Sequence, residues 1–174
     1  GARATAYALP GRIFMIETLG GSSGMLALEV AKGAGADAIL VPEYAYNEDW
    51  LADRLNTRIA ANGNALIIVC EGLPNKATLA DKIPEWTGIR LRDVRLGHAQ
   101  RGGTTTHRDR AFAADLALKA HEALHAGCKL GTIIVRDGVT RLFEGKLTGA
   151  TPLPDPITYT QINGSQSWHG HFSN

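Results

Sequence analysis

Two hydrophobic periods alternate along this chain. Arg12 to Leu19 is a short apolar, β-rich run (Arg-Ile-Phe-Met-Ile-Glu-Thr-Leu) that breaks into Gly20-Gly21-Ser22-Ser23-Gly24. The pattern predicts a strand, a glycine turn, and an amphipathic helix from about Met25 to Lys32, stopped by Gly35. Asp37 to Val41 predicts a second strand, ended by Pro42. Asn47 is suited to cap a helix reaching about Ala61, with Trp50, Leu51, Leu55 and Ile59 at helical spacing. Ala65 to Cys70 is a near-continuous apolar run, the mark of a strand buried on both faces of a parallel sheet.

The alternation continues. Lys76 to Trp86 predicts a weak helix interrupted at Pro84. Ile89 to Leu96 alternates apolar and polar with one slip, which predicts a strand. Thr106-His107-Arg108-Asp109 has the spacing of a capping box and opens an alanine-rich helix to His125. Thr132 to Arg136 and Val139 to Phe143 predict strands joined by a turn at Asp137-Gly138. Beyond Gly149 the chain is rich in Pro, Thr, Ser and Gly, and a loosely held tail is expected over 149–174. Repeated strand–helix alternation with buried strands defines an α/β domain with a largely parallel sheet.

Composition narrows the function classes. The 174 residues are 44% hydrophobic and 20% charged, which suits one globular domain with a core. A net charge of +1 advertises neither nucleic acid nor an anionic membrane as partner. Cys70 and Cys128 fit no disulfide framework and no metal knuckle, and Cys70, closing an apolar run, reads as a buried free thiol. No run approaches the roughly 18 apolar residues of a membrane span. A soluble cytoplasmic protein is the expectation.

Candidate chemistry gathers at strand ends, where open α/β sheets bind ligands. The Gly20–Gly24 turn lets backbone N–H groups at a helix start approach an anion. Glu71 ends the third strand with an acceptor-only carboxylate suited to sugar hydroxyls. Gly97-His98-Ala99-Gln100-Arg101-Gly102-Gly103 offers an imidazole and a guanidinium in a flexible loop. Arg12 opens the first strand and Arg92 precedes the loop, and paired guanidinium donors chelate phosphate. Singly, each has a plainer reading as a connecting turn, a solvated charge or a structural histidine. Together they read as an anion or sugar-phosphate site. Ser22 and Ser23 lack a nucleophile elbow or base. His107, and the pair His121 and His125 on the long helix, read as a solvated face without a third ligand. Asp109 and Arg110 read as structural, His169-Gly170-His171 falls in the polar tail, and the Asn163-Gly164-Ser165 sequon carries no weight in a cytoplasmic chain.

Leu96-Gly-His-Ala-Gln-Arg-Gly-Gly103, followed by Asp109-Arg110, resembles the signature of the 6-phosphofructokinase family. Arg12 to Gly20, the Gly-Ala-Asp37 and Pro42-Glu43 that follow, and Val69-Cys-Glu-Gly72 fall in that family's order, so the resemblance covers roughly Gly11 to Glu144. It implies a Rossmann-like three-layer domain over residues 12–148, resembling the C-terminal, sugar-phosphate-binding half. An extension over 1–11 would precede it and a tail over 149–174 would follow. It also implies that Arg12, Arg92 and His98 grip the 6-phosphate of fructose 6-phosphate, with the arginines reaching across a subunit interface. Glu71 and Arg101 would hold sugar hydroxyls, and the Leu19-Gly20 backbone would lie along the sugar.

Two departures qualify that expectation. Active members of the family carry arginine where this chain has Gly21, which brings in a non-catalytic regulatory module for a sugar phosphate or bisphosphate as the alternative function. The family's nucleotide loop and catalytic aspartates precede the matched region. This chain alone is therefore expected to supply no catalytic residue or metal ligand and to bind no cofactor. Mg2+ and ATP, or pyrophosphate, would come with a nucleotide-binding half or companion subunit, on which about 104–148 would pack. A homo- or hetero-oligomer is the expected assembly.

Overall fold

The protein is described from a computed structural model, over residues 4–5, 8–146 and 153–167. It divides into two units, one formed by residues 1–100 with 151–174 and the other by 101–150.

The first unit is a parallel sheet between helices. Its strands are β1 (Arg12–Thr18), β2 (Ala38–Leu40), β3 (Asn64–Cys70) and β4 (Arg90–Arg95), in the order β2-β3-β1-β4. β1 runs beside β3 with Arg12 opposite Asn64 and Thr18 opposite Cys70, and beside β4 with Arg12 opposite Arg90. All seven residues of β3 are buried, as its unbroken apolar run required. Strand alternation sends Phe14, Ile16, Leu66 and Ile68 to one face, where Ala27, Leu28 and Ala31 of α1 (Met25–Ala34) meet them. Ile13, Met15, Ala65, Ile67 and Val69 go to the other, against Leu51 and Leu55 of α2 (Glu48–Asn62) and Leu79 and Ile83 of α3 (Lys76–Thr87). This is the α/β fold expected from the pattern.

Asn47 caps α2 as its sequence position implied, its side chain accepting from the N–H of Asp49 and of Trp50. In α3 the expected break at Pro84 does not occur, and the helix runs through to Thr87. Leu79 and Ile83 are buried before the proline, and the Gly88 N–H donates to Pro84 O at 2.9 Å after it. Packing on the sheet outweighs the roughly 3 kcal/mol that an interior proline costs.

Residues 153–167 also differ from the loose tail expected over 149–174. Asp155 caps α5 (Pro156–Asn163), with Pro156 in its first turn, where a missing N–H costs nothing. Tyr159 is fully buried, its ring centroid 4.7 Å from that of Tyr44. The Tyr44 hydroxyl donates to Pro154 O, and Arg54 donates to Ile162 O and Asp37 O. Polar and turn-forming composition signalled looseness, whereas one buried aromatic and a set of backbone-directed hydrogen bonds make this segment part of the first unit. The sequon asparagine, Asn163, is fully buried there. His169 and His171 lie outside the described residues.

The second unit holds α4 (His107–His125) and a hairpin of β5 (Thr132–Arg136) and β6 (Val139–Phe143). The capping box forms: Thr106 Oγ1 accepts from Asp109 N, and Asp109 Oδ2 accepts from Thr106 N at 2.7 Å. Asp137 and Gly138 both take positive φ, the primed turn that a two-residue hairpin requires. α4 buries no residue, and Phe112, Leu118 and Leu124 are exposed along it. Among the described residues no helix is long and apolar enough to cross a membrane.

Candidate functional site

The site is built where β1 and β3 end side by side. After Thr18 the chain enters the glycine turn, and after Cys70 it reaches Glu71 and Gly72. The Glu71 Oε1 atom accepts from the N–H of Gly20 at 2.9 Å and of Gly21 at 2.6 Å. Two successive amides thus converge on one carboxylate oxygen, an arrangement that holds negative charge. Gly21 takes a φ of 58°, where a side chain would be strained although space is open around it. Gly72 must be glycine for a different reason: a Cβ there would lie 2.0 Å from Gly21 O.

Beneath the turn, the Cys70 thiol donates to Gly21 O at 3.4 Å and Ser23 O at 3.3 Å. Burial pushes the pKa of this thiol above its ordinary value. Glu43, at the end of β2, accepts from Gly24 N at 2.8 Å through Oε1, and so puts a carboxylate at the start of α1, whose first turn has no acid of its own.

The glycine turn was expected to cradle an anion from a ligand. Its amides at Gly20, Gly21 and Gly24 are instead met by Glu71 and Glu43. Two carboxylates at one turn repel the phosphates of a nucleotide or pyrophosphate, and these residues do not fit that group. A carboxylate only accepts hydrogen bonds, so Glu71 suits hydroxyl donors rather than phosphate oxygens.

The His98 loop is a single 3-10 turn, Gly97–Gln100, at the end of β4. It is fastened to the glycine turn by the Leu19 N–H, which donates to Gln100 Oε1 at 3.3 Å. Leu19, Gly20, Gly21, Glu71 and the His98-bearing turn therefore come together at the carboxyl ends of β1, β3 and β4.

Arg12 and Arg92 do not join them within one chain. Arg12 begins β1, six residues or about 20 Å before Thr18, and Arg92 stands beside Phe14, about 13 Å before it. Strand polarity separates these arginines from the rim on which a single cluster was expected. They gather with Arg90, which shares their face because it lies two residues before Arg92 and opposite Arg12. The pKa of Arg92 is lowered, first by repulsion from Arg90, then by desolvation and by Arg12. Reading the residues one at a time missed Arg90. The i, i+2 spacing of Arg90 and Arg92 in a strand was the available signal. Arg101 opens the second unit, where it is exposed.

His121 and His125 stack with ring centroids 4.5 Å apart on α4, in the second unit. Among the described residues, no three or more His, Cys, Asp or Glu side chains are grouped to hold a metal ion.

A parallel sheet flanked by helices defines an α/β domain. The family profile described as Phosphofructokinase matches residues 1–124. The chain belongs to the phosphofructokinase family. It is 35% identical over 128 residues to an ATP-dependent 6-phosphofructokinase of Clostridium botulinum, a match covering 73% of this chain and 40% of the relative. The chain thus spans about 40% of the length of the curated relatives it matches. Among solved structures, phosphofructokinase from Saccharomyces cerevisiae aligns with a TM-score of 0.67 at 26% identity, over 81% of this chain and 20% of that one. The pyrophosphate-dependent phosphofructokinase of Marinobacter aquaeolei shares the fold with a TM-score of 0.72 at 21% identity, over 94% of this chain and 47% of that one.

Proposed function

We propose that this chain is the fructose 6-phosphate-binding part of a 6-phosphofructokinase, the enzyme that transfers a phosphoryl group to the sugar's 1-hydroxyl. The observation that carries the reading is the grip of Glu71 on the Gly20 and Gly21 amides. It fixes a carboxylate and a run of exposed backbone beside the turn bearing His98. Glu71 accepts from sugar hydroxyls, the Leu19–Gly20 backbone lies along the sugar, and His98 faces the 6-phosphate. Such positioning is most of what a protein contributes to phosphoryl transfer.

The arginines complete the site from a second copy. Arg12, Arg90 and Arg92 cluster on one sheet face, and among the described residues no carboxylate forms an ion pair with any of them. The same face carries an apolar groove of about 820 Å³ lined by Phe14, Ile16, Val94 and Leu96, which an apposed subunit would cover. An oligomer brings one chain's guanidinium cluster to its neighbour's sugar rim, where paired donors chelate a phosphate.

The phosphoryl donor, ATP or pyrophosphate, and its Mg2+ belong to residues outside this stretch, since the glycine turn does not fit them. The exposed apolar side chains of α4 supply a face on which such a donor-binding part would pack. A second reading, a regulatory module, is favoured by Gly21, which puts no cation beside the sugar. Loss of one such group costs about 2–4 kcal/mol of barrier. Calorimetry with fructose 6-phosphate and fructose 2,6-bisphosphate separates the readings. Preference for the monophosphate supports the enzyme part, preference for the bisphosphate supports regulation, and binding of neither refutes both.

A further inference from the structure

Residues 39–47 lead from β2 to the start of α2, and the segment 153–167 fastens them at Ile39, Tyr44 and Asn47. Asn163 bonds both backbone groups of Ile39, the Tyr44 hydroxyl donates to Pro154 O, and Asn47 N donates to Ser167 O at 3.2 Å. The Tyr159 ring packs on that of Tyr44. Glu43 lies within this fastened stretch, and its Oε1 accepts from Gly24 N at 2.8 Å. Gly24 closes the glycine turn and is the N-cap of α1, a helix that it cannot cap through a side chain. A Cβ there would lie 2.3 Å from Val41 Cγ1 and 2.9 Å from Glu43 Oε2. The turn is thus clamped at both ends, by Glu71 on Gly20 and Gly21 and by Glu43 on Gly24.

The Glu43 clamp does not hold itself. Its Oε2 is buried, and among the described residues it meets no hydrogen-bond partner. A carboxylate oxygen so placed has lost its water without compensation, so Glu43 left alone would turn outward to solvent. What keeps it inward is the backbone on either side, and 153–167 fixes that backbone.

We propose that the segment 153–167 is a strap that sets the glycine turn, acting through Glu43 as a positioning residue. With the strap docked, Glu43 stays on Gly24 and the turn keeps its place beside Glu71. With the strap released, residues 39–47 slacken, Glu43 moves into water, and the Gly24 end of the turn comes loose. A ligand that needs the ordered turn favours the docked strap in return, because coupling between two sites is reciprocal. The effect on sugar affinity rests on the sugar-site reading above, whereas the coupling of strap to turn is independent of any ligand.

Amide hydrogen exchange, read residue by residue on the full chain, tests the coupling. Tyr44→Phe removes the hydroxyl bond to Pro154 O and keeps the ring against Tyr159. In that variant, exchange at Gly24 is expected to quicken roughly 5- to 30-fold, while exchange at Leu79 in α3 stays within about two-fold of wild type. Glu43→Ala should quicken Gly24 to the same extent, and Glu43→Gln, which keeps an acceptor, should restore it. Calorimetric affinity for fructose 6-phosphate should fall by a similar roughly 5- to 30-fold factor in Tyr44→Phe and Glu43→Ala. In wild type, saturating fructose 6-phosphate should slow exchange at Gly164, whose N–H bonds Thr160 O at the end of α5. Wild-type exchange at Gly24 in folded Tyr44→Phe overturns the strap, and the same result in Glu43→Ala overturns Glu43 as its link. Should a variant not fold, the wild-type protein decides: bound fructose 6-phosphate that slows Gly20 but leaves Gly164 unaltered overturns the coupling. A wild-type chain that ignores fructose 6-phosphate refutes the sugar-site reading alone, and exchange at Gly24 then decides the strap.

Discussion

Asn163 holds both backbone groups of Ile39. Its Oδ1 accepts from Ile39 N at 2.9 Å and its Nδ2 donates to Ile39 O at 2.8 Å, with Asn163 fully buried. β2 is an edge strand, bonded to β3 on one side only, and the carboxamide stands where another strand would pair. An open edge invites pairing with another chain, and here a side chain from α5 covers it.

Replacing Asn163 with Leu should therefore do two things. It leaves two buried backbone groups without partners, a loss of about 2–4 kcal/mol, which lowers the melting temperature by roughly 5–15 °C. It also frees the β2 edge, so light scattering should show more self-association than a surface control such as Lys119→Ala. A variant that melts like wild type would mean that the carboxamide is not what secures α5.

Gly72→Ala tests the packing beneath the site. The new Cβ would sit 2.0 Å from Gly21 O, so the turn must move away from Glu71. Affinity for fructose 6-phosphate should drop at least about ten-fold, the scale of one lost charged hydrogen bond. Circular dichroism should still report a folded sheet, because the clash is confined to the turn. Undiminished affinity would place the sugar elsewhere.

Arg90 distinguishes a cluster of three arginines from a pair. Arg90→Ala should weaken fructose 6-phosphate binding about 5- to 10-fold and flatten its dependence on salt, since one screened cation near the phosphate is removed. On the proposed two-copy site, the effect should vanish at protein dilutions where analytical ultracentrifugation shows monomer. Equal affinity in wild type and variant at oligomer-forming concentrations would exclude Arg90 from the site.

These tests bear on features that the sequence reveals unequally. The β1–glycine turn–α1 unit was legible because its polarity period, its glycines and its helix start all agree within a short stretch. β3 was legible from six consecutive apolar residues, Ala65 to Cys70. α5 was not: Pro154, Pro156, Thr158 and Thr160 advertise a loop, and only the distant partners of Tyr159 and Asn163, at Tyr44 and Ile39, turn that segment into structure. The candidate site divides the same way. Glu71, His98 and the glycine turn could be gathered from strand ends alone. That Glu71 would meet the turn amides before any ligand did, and that Arg12 and Arg92 would stand at the wrong end of the strands for a one-chain site, depends on register and polarity. Those are properties of paired strands, which no single window of sequence contains.

Acid should unfold the two units through separate carboxylates. The pKa of Asp155 is lowered from 3.8, first by the Thr158 hydroxyl and then by the Thr158 N–H, and that of Asp109 is lowered by the N–H and then the hydroxyl of Thr106. A carboxyl that is more acidic in the folded state stabilises it fully above the unfolded value and loses that contribution as pH falls through the folded value. Both helix caps are therefore intact at pH 5 and above and weaken below about pH 4. Asp155→Asn keeps an acceptor for the Thr158 N–H but removes the titration. Its melting temperature should fall less steeply than wild type between pH 5 and pH 3, with the difference read from α5, whose burial of Tyr159 gives a fluorescence signal. Asp109→Asn should flatten the acid response of α4 helicity instead and leave the Tyr159 signal unaltered. Identical pH profiles for wild type and Asp155→Asn would mean that α5 is held by Tyr159 and Asn163 alone, with its N-terminal cap contributing nothing to acid sensitivity.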